Sequence, residues 1–314
     1  MFDSSFHYYL IPVFCHLHFD MPELPEVETV CRGLAKSLTG ARITGVDQHR
    51  ADLRTALPPN LPARLRGRKI QDIRRRAKYI LITLDQNEIL LMHLGMSGRM
   101  VITKNDRQPP LKHDHLVFRF DNDVTVRFND ARRFGMCDLV SEKDLPQHKL
   151  LRHLGLEPLG PELTAETLAA KLRGKKTSIK DALMDQRLIA GIGNIYACEA
   201  LFYACISPKR KAGACSKAQI GKLVPAIRKV LKDALASGGS TLRNYVQSNG
   251  DLGGFQHHFA VYDHEGQKCP GCTCKVKKTG LPSPKRSSGF AQAGGIRRIP
   301  QGGRSSFYCP FKQK

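Results

Sequence analysis

Two adjacent residues near the front of the chain carry the strongest chemical signal. They are Pro22 and Glu23, inside Met21-Pro22-Glu23-Leu24-Pro25-Glu26-Val27-Glu28. If translation starts at Met21 and the methionine is trimmed, Pro22 exposes a secondary amine. An amino-terminal amine titrates near ~8, so part of it is unprotonated and nucleophilic at neutral pH. Such an amine attacking a sugar C1′ forms an iminium, the covalent logic of Schiff-base lysines. Glu23 beside it can protonate the ring oxygen or shuttle protons. The octapeptide also reads as an ordinary helix entrance, with Pro25 near the first turn and acids facing the macrodipole. Residues 1–20 conflict with the chemistry, because joined to them the Pro22 nitrogen is a tertiary amide without a usable lone pair. That leader has no basic start and no small-residue cleavage site, so it is a poor signal peptide. It is expected to be absent from the mature protein.

Other residues of chemical interest fall in four places. Arg74-Arg75-Arg76-Ala77-Lys78-Tyr79 puts four cations at a strand entrance, suited to phosphates or to a solvated edge that blocks strand pairing. His93-Leu94-Gly95-Met96-Ser97-Gly98 and Asp130-Ala131-Arg132-Arg133-Phe134-Gly135 are loops presenting a methionine, an arginine and a phenylalanine. Gly191-Ile192-Gly193-Asn194 precedes an apolar run and reads as a helix amino terminus open to a phosphate, or as a plain tight turn. Cys269-Pro270-Gly271-Cys272 is half of a zinc knuckle.

The chain has 50 Lys plus Arg against 28 Asp plus Glu among 314 residues, a net charge of +22. The excess runs through the whole length, so the partner expected first is a polyanion, above all nucleic acid. No run reaches the ~18 apolar residues a membrane span requires. Most of the ten cysteines sit in apolar patterns (Cys31, Cys137, Cys198) and read as reduced core residues, which favours a reducing compartment.

The elements that must position these groups follow from periodicity. Leu24, Val27, Val30, Cys31, Leu34 and Leu38 give a helix ending at Gly40. Strands follow at 43–46, 70–73, 79–84, 89–94, 115–120 and 124–128, the last two joined by the turn Asp121-Asn122-Asp123. A helix before many antiparallel strands suggests a β-sandwich. After a turn-rich linker the pattern becomes helical: Leu163, Leu168 and Leu172, then 179–184, then a capping box at Ser216-Lys217-Ala218-Gln219 whose helix stops at Gly238-Gly239. Ser237–Arg243 reads as either a closing loop or a flexible linker. A Pro/Ser/Lys/Gly-rich stretch near 275–295 reads as a disordered insertion.

The octapeptide, RRAKY, HLGMSG, RRFG, DQRLIAGIGNIYACEALF and QGGRSSFY occur in one order, and in that order the chain from Met21 to its carboxyl end resembles the formamidopyrimidine-DNA glycosylases. The resemblance implies an α+β protein. It would have an amino-terminal catalytic β-sandwich with a flanking helix (21–150), a helix–two-turn–helix DNA-binding domain (151–255) and a carboxyl-terminal zinc-finger-like β-hairpin (256–314). It implies a base-excision-repair glycosylase and AP lyase that removes oxidised purines from damaged double-stranded DNA, acting as a monomer in the cytoplasm at the nucleoid. Pro22 would be the nucleophile, Glu23 its proton partner, and Lys78 and Arg304 the donors for β- and δ-elimination. Glu26 would help orient the lesion base. Met96, Arg132 and Phe134 would fill the hole left by the flipped base, with His113, Lys175 and Asn194 as further DNA contacts. One structural zinc would be held by Cys269, Cys272 and Cys309. Lys312 stands where the family has its fourth cysteine, which leaves a three-thiolate site, a distorted site completed by Cys274, or a finger without metal.

Two other readings stay open. An oxidised-pyrimidine glycosylase of the endonuclease VIII type shares the fold, but that group usually has PEGPE where this chain has Pro22-Glu23-Leu24-Pro25-Glu26. A non-catalytic nucleic-acid binder fits if the leader is retained or the finger fails.

Overall fold

Leu24–Leu38 forms helix α1 because its apolar residues recur on one face, and Leu24, Val27, Val30, Leu34 and Leu38 are all buried. The computed structural model describes residues 21–105, 108–240, 254–274 and 295–314. The leader, residues 241–243 of the Ser237–Arg243 stretch and residues 275–294 of the insertion therefore lie outside the described residues.

After α1 come β1 (Ile43–Gln48), the short helix α2 (Leu61–Leu65), β2 (Ile70–Arg76), β3 (Tyr79–Leu84), β4 (Glu88–His93), β5 (Arg99–Lys104), β6 (Asp114–Phe120), β7 (Val124–Asn129) and β8 (Met136–Ser141). They build two four-stranded antiparallel sheets, ordered β1-β6-β7-β5 and β2-β3-β4-β8. One apolar core joins the sheets and α1, drawing Ile80, Ile82 and Leu84 from β3 and Leu116, Phe118, Val126 and Phe128 from β6 and β7. Leu81, Ile89 and Leu91 point the other way, into a second small cluster with Leu151. Burial on both faces explains why β3 and β4 read as continuous apolar runs rather than alternating ones. The expected sandwich is present, with β5, whose ends are Arg99 and Lys104, and β8, interrupted by Asp138, added.

The second lobe holds α3 (Ala165–Leu172), α4 (Ile179–Met184), α5 (Asn194–Tyr203) and α6 (Lys217–Ala236), followed by the hairpin β9 (Arg297–Gln301) and β10 (Arg304–Tyr308). The capping box at Ser216 and Gln219 opens α6 as its sequence predicts. Helix α5 is buried on all sides except at Tyr203. Hairpin residues Phe307 and Cys309 share one core with Tyr196, Phe202, Leu223 and Ile227, so the hairpin is packed as an extension of the helical lobe. Gln301 Nε2 donates to Ser178 Oγ (2.6 Å) and to the Pro208 carbonyl (2.9 Å), which docks the hairpin turn against α4.

Candidate active site

Pro22 is buried, and its neighbours Met21 and Glu23 both line a cavity of about 630 Å³ between the two lobes. The Glu23 carboxylate is held at the amino end of α5, accepting from Gly193 N (2.6 Å) and Ile195 N (2.9 Å). Backbone donors and the positive end of the helix both favour a carboxylate there. The Gly191-Ile192-Gly193 segment exists for this approach. A Cβ at Gly193 would overlap the Glu23 carboxyl group, and Gly191, at φ +92°, faces the Leu24 side chain. The glycines thus make room for α1.

Glu26 lies behind Glu23 and is wholly buried. Its Oε1 accepts from Tyr196 Oη (2.6 Å), Ser240 N (2.8 Å) and Ser240 Oγ (2.8 Å), and its Oε2 accepts from Glu23 N (3.0 Å). It does not line the cavity. It ties the front of α1 to α5 and to the segment just after α6.

Lys78 follows the turn between β2 and β3, in which Ala77 takes φ +53°, and it lines the cavity while mostly buried. Two of the other cations of its motif are tied to carboxylates. Arg75 bonds Glu28 (3.0 Å) and Glu157 (2.8 Å), while Arg76 bonds Glu157 (2.7 Å) and the Gly155 carbonyl (2.6 Å). Ala77 N also donates to Glu157 (2.7 Å). One carboxylate from the interlobe linker therefore fixes the turn that carries Lys78.

His93 faces the same cavity, its ring tilted against Tyr79 at 4.8 Å. Its Nδ1 accepts from Gly95 N (3.0 Å), so the proton of the neutral ring sits on Nε2. Burial, with the charges of Lys78 and Arg54 adding to it, pushes its pKa down to about 4. An unfolded histidine titrates near ~6.5, so the unfolded state takes up the proton first as pH falls. This stabilisation, up to about 3 kcal/mol, is present above that pH and lost between ~6.5 and 4. Thermal melts of the protein and of His93→Gln should show the parent losing more stability across that window; parallel curves would contradict the assignment.

Met96 and Phe134 project into the cavity from the two glycine-bounded loops, and Phe134 is exposed. The Arg132 guanidinium lies over the Phe134 ring, 4.8 Å from its centre. Asn194 also lines the cavity. Its Nδ2 donates to Tyr262 Oη (3.2 Å) and the Ser305 carbonyl (3.1 Å), so its amide hydrogens are engaged and both are directed into the fold. Arg304, exposed at the start of β10, closes the ring of cations. Two expected DNA contacts lie elsewhere. His113 sits in a separate groove with His49, Arg50, Lys112 and Arg133, and Lys175 is half-buried beyond the end of α3, outside the cavity.

Four cysteines cluster in the finger, although Lys312 stands at the fourth position of the motif. The sulfurs of Cys269, Cys272, Cys274 and Cys309 lie within 4.8 Å of one another, with Cys269–Cys274 and Cys272–Cys309 each 3.7 Å apart. A tetrahedral site with metal–sulfur bonds of about 2.3 Å needs sulfurs roughly 3.8 Å apart, so four thiolates here fit such an ion. Cys274 occupies the fourth corner. Lys312 instead places its ammonium over the Phe202 ring, 4.2 Å from the centre, and so fastens the finger to α5. Cys31 and Cys198 are buried free thiols, their pKa values pushed up to about 12 chiefly by burial, which makes them inert.

Several site residues carried no assignment from sequence. His93 opens a recognised motif, and that position was the available signal. Arg54 reaches the cavity from an irregular stretch and Glu157 lies in a linker of turn residues; neither has a periodic signature. Lys180, outside the cavity lining, is buried on α4, and desolvation lowers its pKa.

Comparison with known proteins agrees with this geometry. The formamidopyrimidine-DNA glycosylase N-terminal domain model matches residues 21–137, and the H2TH domain model of the same enzymes matches 154–246. Formamidopyrimidine-DNA glycosylases of Rhodospirillum centenum and Dinoroseobacter shibae are each 49% identical, covering 94% of this chain and 100% of their own length. A Lactococcus lactis Fpg mutant bound to Fapy-dG-containing DNA superposes with a TM-score of 0.80 at 32% identity, covering 93% of this chain and 100% of that one. Thermus thermophilus MutM (Fpg) gives 0.77 at 35% identity, with 93% and 98% covered. With both domain models matched and relatives this similar along their whole length, the chain belongs to the formamidopyrimidine-DNA glycosylase family.

Proposed function

We propose that this chain is a base-excision-repair DNA glycosylase and AP lyase that removes oxidised purines, chiefly 8-oxoguanine and formamidopyrimidines. The observation that supports it most is the single cavity uniting Glu23, next to Pro22, with Lys78 from the sandwich and Arg304 from the hairpin. In the form of the chain that begins at Pro22, the amine attacks C1′ of an extruded nucleotide. The N–C1′ bond forms as the glycosidic bond breaks, and the departing base anion takes a proton from solvent. Glu23 carries the proton lost by the amine to O4′, and the ring opens. The resulting iminium acidifies the C2′ proton. β-Elimination then breaks the C3′–O bond with Lys78 at hand, and δ-elimination breaks C5′–O beside Arg304. Glu26 holds Glu23 and the loop entrance in place. Met96 and Phe134 wedge into the vacated stack while Arg132 pairs with the orphaned base. His113, Lys175 and Asn194 add phosphate contacts, so binding falls steeply with salt. The work is on genomic duplex, in the cytoplasm of a bacterial-type cell.

The four cysteines hold one structural zinc in this reading, which contributes folding energy to the finger. Purified protein should contain about one zinc per chain. Cys274→Ser and chelation should each lower the melting temperature and weaken duplex binding. Active protein free of zinc would remove the zinc claim alone.

Strand-cleavage assays on duplexes carrying 8-oxoguanine, thymine glycol or no lesion test the activity. Preferred cutting at 8-oxoguanine supports the proposal. Preference for thymine glycol would turn it into the endonuclease VIII type, and binding without cutting would reduce it to a binder.

A further inference from the structure

The loops carrying Met96 and Arg132-Phe134 are remote in sequence yet meet face to face, and one buried hydrogen-bond set joins them. Ser97 Oγ donates to Asp130 Oδ1 and accepts from Arg132 N (3.1 Å). Asp130 is wholly buried; its Oδ2 accepts from Gly135 N (2.7 Å), and its backbone carbonyl accepts from Arg133 N (3.3 Å) and contacts His115 Nε2 at 2.7 Å. Asp130 N in turn donates to the His113 carbonyl (3.0 Å). The loops are also in close contact, since a Cβ on Gly95 would overlap the Phe134 backbone. A single hydroxyl thus links the methionine loop to the backbone N–H of Arg132.

We propose that Ser97 and Asp130 form a latch that sets Arg132 in register with Met96 and Phe134, and so determine which base is accepted opposite the lesion. The inference rests on the glycosylase reading above. A guanidinium offers only donors. Cytosine presents two acceptors on its pairing edge, whereas adenine sets an amino donor beside its acceptor, so a fixed Arg132 favours cytosine. Discrimination of this kind requires the guanidinium to be held in place; a loop free to shift meets either base. Ser97 and Asp130 do not touch the reacting sugar: they are positioning residues.

The test is single-turnover excision of 8-oxoguanine opposite cytosine and opposite adenine, by the parent enzyme and by Ser97→Ala and Ser97→Thr. Rates are normalised to the borohydride-trapped adduct formed on a preformed abasic site, which counts competent enzyme. The half-buried Ser97 is chosen because Asp130 variants, at a wholly buried site, need not fold. The cytosine-to-adenine ratio should fall roughly tenfold in Ser97→Ala, since one well-placed base contact discriminates by that order. Ser97→Thr, which keeps the hydroxyl, should retain the parent ratio. An unchanged ratio in Ser97→Ala, or an equal fall in both variants, overturns the latch. A parent enzyme that excises 8-oxoguanine opposite neither base contradicts the underlying reading instead.

Discussion

Replacing Glu23 with glutamine is expected to cut base excision by roughly 10² to 10⁴ while duplex binding persists, the range a positioned proton-transfer group supplies. The substitution preserves shape and leaves one oxygen to accept from Gly193 N or Ile195 N. The other position becomes an amide that meets a backbone donor with a donor and cannot take the amine's proton. Stability should fall modestly, by about 1–3 kcal/mol for one unsatisfied buried group. Single-turnover excision beside a binding titration separates the effects. Excision within threefold of the parent enzyme would remove Glu23 from the chemistry and leave it a helix cap.

The second large effect is expected at Glu157, which touches no substrate. Its carboxylate takes one bond each from Arg75, Arg76 and Ala77 N, and Lys78 is the next residue along. Glu157→Ala would strand two arginines that keep only part of their partners, Glu28 and the Leu154 and Gly155 carbonyls. Breaking a fully buried pair costs about 3–5 kcal/mol; this one is partly open to solvent, so roughly 2–3 kcal/mol is expected. The turn before Lys78 also loses its tether, so β-elimination on a preformed abasic site should drop more than glycosidic cleavage does. Melting temperature and the ratio of the two rates are the readouts. Proportional losses in both steps would mean that Glu157 only stabilises the fold.

Much of the fold was legible because its elements obey simple periodicities. Helix α1 follows one apolar stripe, α6 announces itself with a capping box, and β3 was bounded to the residue. The candidate site residues were legible through short motifs, and Glu23, Lys78, Met96, Phe134, Asn194 and Arg304 converge on one cavity. What sequence could not convey is the sharing of partners across the chain. Arg75 and Arg76 look like free cations until Glu157, some 80 residues on, is folded beside them. The glycines before α5 look like a phosphate cradle, yet it is the Glu23 carboxylate that fills the space. Cys274 stands two residues after Cys272, while Lys312 holds the position of the fourth motif cysteine. Only the folded finger shows that its sulfur reaches the other three while Lys312 turns to Phe202.

The most direct test of the account is where the covalent link to DNA forms. Protein incubated with an 8-oxoguanine duplex and borohydride, then digested and mapped by mass, should carry the reduced sugar on a peptide beginning at Pro22. Pro22→Gly should markedly reduce the adduct. An adduct on a lysine side chain, or trapping by a species that still carries residues 1–20, would contradict the account.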